Sequence, residues 1–177
     1  MRLFIAALIP EEIKLAINKY VCSIDDALEG VKWESPEKLH ITLKFLGDVD
    51  TSVYESIRED FLNSKVNLSS FQTTIDQFSA FPNIKNPRVL ILKLKENKDF
   101  QNLYNTIEKI SIKNGFDKDK YSFIPHITIG RAKNSFNAKN HIKKPEKSNF
   151  EVNELAIVKS ELYPNGSRYS NLDVMQL

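Results

Sequence analysis

The stretch Lys38-Leu39-His40-Ile41-Thr42-Leu43-Lys44-Phe45 alternates polar and apolar residues with the two-residue period of a half-buried strand. Residues i and i+2 of a strand share a face. His40 and Thr42 are therefore expected to project together while Ile41 and Leu43 anchor the opposite face in a core. The same pattern returns in Ile124-Pro125-His126-Ile127-Thr128-Ile129, with His126 beside Thr128 and with Ile127 and Ile129 turned inward. The chain has three histidines, and two of them stand in this arrangement. A single His-x-Thr is explained by a structural imidazole next to a good strand former. Its repetition calls for chemistry that uses the pair twice.

Imidazole, with an unperturbed pKa of about 6.5, serves as a base when neutral and as an acid when protonated near pH 7. Cleaving a phosphodiester needs one group to take a proton from the attacking oxygen and another to return one to the leaving oxygen. Two threonine hydroxyls can donate hydrogen bonds to the non-bridging oxygens as charge builds there. That division of labour needs no metal. Two histidines on separate strands without an adjacent carboxylate also fall short of a usual ligand set, so neither metal nor cofactor is expected.

Outward from the two motifs, the chain reads as alternating strands and helices. A strand is expected over residues 2–9. Pro10-Glu11-Glu12 opens a helix running to about Leu28, closed by Gly30. The first motif strand covers about 38–46, followed by a helix at 50–64 and strands at 70–79 and 88–95. A second long helix starts at Asn97 or Lys98, places Phe100, Leu103, Ile107 and Ile110 at helical spacing, and ends at Asn114-Gly115. The second motif strand covers about 125–131. Strands at 150–163 and 168–176 are joined by the turn Pro164-Asn165-Gly166-Ser167.

Together these features resemble the two-histidine (2H) phosphoesterases, defined by two HxTx motifs, and within them the RNA 2′,3′-cyclic phosphodiesterases. The likeness extends over essentially the whole chain. It includes Arg2-Leu3-Phe4-Ile5-Ala6, Leu39 to Gly47, Pro87-Arg88-Val89-Leu90, Pro125 to Arg131, and Ser160 to Tyr169. The resemblance implies an α+β fold of two intertwined lobes forming one domain over residues 1–177. Two mainly antiparallel sheets with outer helices would flank a central cleft about a pseudo-twofold axis. It implies that His126 is the proton acceptor that deprotonates water and His40 the proton donor to O3′, opening an RNA 2′,3′-cyclic phosphate to a 2′-phosphomonoester. It also implies that Arg131 steadies the phosphate. Strict alternation puts Arg131 on the face opposite His126, and a bulge or a strand end at Gly130 would restore its direction. Lys44, of the same parity as His40 and Thr42, is a candidate to reach phosphate from the other side, with a solvated lysine at the strand end as the competing role. Phe45 and Trp33 are candidate stacking surfaces for a base, with core packing the competing role for each.

Composition is compatible with this. The 177 residues, 41% of them hydrophobic, suffice for one well-cored domain. The lone Cys22 cannot form an internal disulfide, fits a reducing cytoplasm, and is expected to pack. The apolar start, Met1 to Ile9, is too short to span a membrane. A monomer without membrane association is expected. Net charge is only +2, yet residues 131–147 hold six basic side chains against Glu146 alone, a segment suited to RNA phosphates or to plain solvent exposure. His141 lies among those lysines and is read as solvent-exposed. Other readings stay open: a reversible 2′–5′ RNA ligase, a phosphodiesterase for another small cyclic or 2′–5′ substrate, or a non-catalytic module that holds RNA phosphate. No P-loop pattern occurs, which argues against an ATP-driven ligase.

Overall fold

The computed structural model describes all residues except 135, 140–142 and 165, so His141 lies outside the described residues. Among the described residues three α-helices and nine strands follow one another as β1 (Arg2–Leu8), α1 (Glu11–Cys22), β2 (Val31–Trp33), β3 (His40–Asp48), α2 (Thr51–Asn63), β4 (Phe71–Phe81), β5 (Val89–Leu94), α3 (Lys98–Lys113), β6 (His126–Ala132), β7 (Asn149–Val152), β8 (Glu154–Tyr163) and β9 (Gly166–Gln176). The strands form two antiparallel sheets, ordered β3-β1-β8-β9 and β2-β6-β5-β4-β7.

The two orders correspond. In each sheet a strand leads through a helix to a motif strand that folds back beside it: β1-α1-β3 in one, β5-α3-β6 in the other. This is the α+β, twofold-related architecture that the resemblance implies. One apolar core runs through both sheets. It takes Ile5, Ile41 and Leu155 from the first sheet, Leu92, Ile127 and Ile129 from the second, and Ile17, Phe61 and Ile107 from the helices. The helices cover the core side of the sheets, leaving their other faces to form a cleft where β3 and β6 pack beside each other.

Some elements differ from expectation. α1 stops at Cys22 rather than about Leu28; a separate 3-10 turn follows over Asp25–Ala27, where Asp25 accepts from the Trp33 indole. Cys22, at that helix end, is exposed rather than packed. The segment expected as one strand over 150–163 divides at Asn153, and its two pieces serve different sheets: β7 pairs with β4, while β8 pairs with β1 and β9. β2 is an additional short strand along the free edge of β6. The expected end of α3 is close, and its start is capped by Asn97 Oδ1, which accepts from the Phe100 amide at 2.8 Å.

No described helix is long and apolar enough to cross a membrane.

Candidate active site

Both histidines enter the cleft at the first residue of their strands and are fixed in the same way. The Nδ1–H of His40 donates to the Lys38 carbonyl and that of His126 to the Ile124 carbonyl, each at 2.6 Å. A carbonyl can only accept, so Nδ1 must carry the proton in both rings. Nε2 is thereby left as the working nitrogen. Thr42 Oγ1 lies 3.0 Å from Nε2 of His40, and Thr128 holds the equivalent place on β6, sharing its face with His126.

Aromatic rings confine each imidazole. Phe4 lies 4.8 Å from His40 and Tyr169 lies 5.6 Å from it edge-on; Phe81 meets His126 edge-on at 5.2 Å. Burial therefore dominates the titration of both. It pulls His40 down to about 4, opposed by the Lys38 carbonyl and aided by His126. Burial also lowers His126, with Lys93 adding to the shift against the Ile124 carbonyl. Both imidazoles are thus favoured in their neutral form at neutral pH. A phosphodiester anion placed between them would favour imidazolium.

A bulge follows each motif. Directly paired residues share a face in an antiparallel sheet. Opposite β1 the pairing jumps from Thr42–Ala6 to Lys44–Ile5, and opposite β5 from Thr128–Ile91 to Gly130–Leu90. The extra residue in each case, Leu43 or Ile129, is buried, and alternation resumes with reversed parity. Arg131 is thereby returned to the face of His126 and Thr128, as a bulge at Gly130 would require. Its guanidinium is 57% exposed and lies 3.5 Å from Glu34.

The same reversal corrects the expectation for Lys44. It turns into the core, with its side chain 2% exposed, and its Nζ lies 2.7 Å from Glu108 and from Asp119 and donates to the Asp117 carbonyl at 2.8 Å. Burial disfavours its charge, but these partners outweigh that and raise its pKa. A cation so engaged ties β3 to α3 and does not contact phosphate. Phe45 takes the cleft-facing position instead, 70% exposed and 6.0 Å from Phe4. Trp33 lies on the core side of β6 above Gly130, where an added Cβ would come within 2.8 Å of its ring, so it packs rather than stacks on a base.

The basic segment after β6 does not act as one block. Lys143 donates to the Ser23 carbonyl beside α1, whereas Lys147 lines a cavity with Lys93 and Lys95. Phe4, Tyr169, Phe81 and Lys93 surround the two histidines, and motif reading missed them. Only the strand pairing identifies them, because each owes its place to a partner strand.

Comparisons with known proteins place the chain among relatives of the same fold. The description "LigT like Phosphoesterase" fits a family model matching residues 8–91. The chain is 32% identical to an RNA 2′,3′-cyclic phosphodiesterase of Archaeoglobus fulgidus, over 99% of this chain and 100% of that one. It is 34% identical to a protein of the same name from Methanocaldococcus jannaschii, over 96% of each. Among solved structures, a Thermus thermophilus protein superposes with a TM-score of 0.81 at 26% identity, covering 100% of this chain and 98% of that one. E. coli LigT complexed with 3′-AMP superposes with a TM-score of 0.83 at 24% identity, covering 99% and 97%, a likeness of fold.

Proposed function

The chain belongs to the LigT-like phosphoesterases, and from that premise we propose that it hydrolyses RNA 2′,3′-cyclic phosphate ends to 2′-phosphomonoesters without a metal. The observation that carries the reading is the matched pair of imidazoles, each spending Nδ1 on a backbone carbonyl and each keeping Nε2 for the cleft. His126 takes a proton from water as its oxygen attacks phosphorus. His40 delivers a proton to O3′ as the P–O3′ bond breaks, and the 2′ ester bond remains. The proton gained by His126 and the one lost by His40 balance, and exchange with solvent resets both.

The low pKa of His40 suits this role. An imidazolium that is a strong acid gives up its proton readily to a departing alkoxide, and the bound phosphate anion is what keeps it protonated until then. Thr42 and Thr128 donate to the non-bridging oxygens, and Arg131 adds a fixed positive charge from the His126 side. Phe45, exposed at the rim on the His40 side, offers a face for the terminal base. We place the enzyme in the cytoplasm as a monomer, consistent with a lone cysteine.

The test is to incubate the protein, with EDTA present, with a short RNA ending in a 2′,3′-cyclic phosphate and to follow the terminus by ³¹P NMR. A 2′-monoester is expected. A 3′-monoester would reverse the assigned leaving oxygen, and no turnover would overturn the hydrolytic reading.

A further inference from the structure

The cleft-facing side of the five-stranded sheet carries a line of cations that continues past the catalytic centre. On β6, Arg131, Thr128 and His126 follow one another toward the N-terminal end of that strand. Lys93 of β5 is the direct partner of His126, so both project from the same face, and Lys93 is near enough to bear on the charge of the ring. Lys95, just past the end of β5, lines the same cavity as Lys93. That open cavity, of about 580 Å³, is lined by Lys93, Lys95 and Lys147 together with Asn149, Asp76 and Glu96. Three lysines against two carboxylates leave one net positive charge, which suits a chain with one charge per nucleotide better than a compact polyphosphate. The four-stranded sheet presents a different surface to the cleft: Phe4, Ala6, Ala156 and Val158 form an apolar cluster with Leu8 and Tyr169 packed on it. The line of cations therefore leaves the site across the five-stranded sheet.

We propose that Lys93, Lys95 and Lys147 form a track for the phosphodiester backbone of the RNA immediately 5′ of the cyclic phosphate, so that the preferred substrate is a strand end and not a cyclic mononucleotide. The inference rests on the function proposed above. It adds the polarity of the substrate: terminal nucleoside toward Phe45 and the apolar sheet, upstream phosphates across β5. Sequence preference is not expected from the track, because lysines reading backbone charge do not read bases.

The experiment compares kcat/KM for a 2′,3′-cyclic mononucleotide and for a tetranucleotide ending in the same group, over a range of salt. The wild-type protein is expected to favour the tetranucleotide by at least about tenfold at low salt. Each lysine–phosphate contact on a single strand contributes about 0.7 to the slope of log affinity against log salt. Lys95→Gln combined with Lys147→Gln is expected to remove most of that preference and to reduce the slope by about 1.4. Both side chains are exposed, so folding is not at stake. Lys95→Glu should depress the tetranucleotide further. Equal efficiency on the two substrates in the wild-type protein, or a preference that survives the double substitution, would overturn the track while leaving ring opening intact. Failure to open either substrate would instead remove the underlying function.

Discussion

β3 and β6 carry the same His-x-Thr pair, anchor Nδ1 on the same kind of carbonyl and break register one residue past the threonine, yet they use the next two positions differently. After the first motif the inward position holds Lys44, bound to Glu108 and Asp119, and the cleft position holds Phe45. After the second, the inward position is Gly130, flattened under Trp33, and the cleft position holds Arg131. In the proposed reaction the shared part supplies an acid–base pair. The differing part makes one wall of the cleft aromatic and the other cationic, which gives a nearly symmetric scaffold a direction for an asymmetric substrate.

Substitutions that break the shared part should cost most. His40→Ala or His126→Ala is expected to lower turnover by about 10²–10⁴, the range of general acid–base catalysis. Near-normal turnover in either variant would end the two-histidine mechanism.

The buried Lys44 should matter next, through stability. Lys44→Met leaves Glu108, itself 7% exposed, without its cation, and breaking such a pair costs about 3 kcal/mol. Thermal denaturation should show a clear fall in Tm, while KM of the folded variant stays near the wild-type value. A raised KM with an unchanged Tm would return Lys44 to phosphate binding.

Smaller effects separate the two walls. Arg131→Ala is expected to raise KM about tenfold, in line with the worth of hydrogen bonds to charged groups, and the penalty should shrink in high salt because the side chain is largely exposed. Phe45→Ala should cost about 1 kcal/mol through lost stacking, vary with the terminal base and ignore salt. If both variants responded to salt alike, the contrast between aromatic and cationic walls would fail.

Much of this was legible in the sequence, and the limits have physical causes. Alternation about His40 and His126 located both strands, their buried faces and the four motif side chains, since period two is a local signal. The bulges are set by partner strands, so parity carried forward from His40 misplaced Lys44, whereas the glycine at 130 gave a hint that Arg131 would turn back. Asn153 looked like the interior of one strand because apolar residues recur on both sides of it, and only pairing assigns β7 and β8 to separate sheets. The rings around each histidine and Lys93 were invisible for the same reason.

The most direct test of the paired-histidine account is kcat/KM against pH on the cyclic-phosphate RNA for the wild-type protein and the two histidine variants. Free His40 titrates at about 4 and burial holds His126 below its usual value. Activity that needs His126 neutral and His40 protonated should therefore rise from low pH, peak below about 6.5 and fall as pH increases, with limbs belonging to the coupled pair. The account predicts that residual activity of His40→Ala lacks the falling limb and that of His126→Ala lacks the rising one. An unchanged bell in either variant would contradict it.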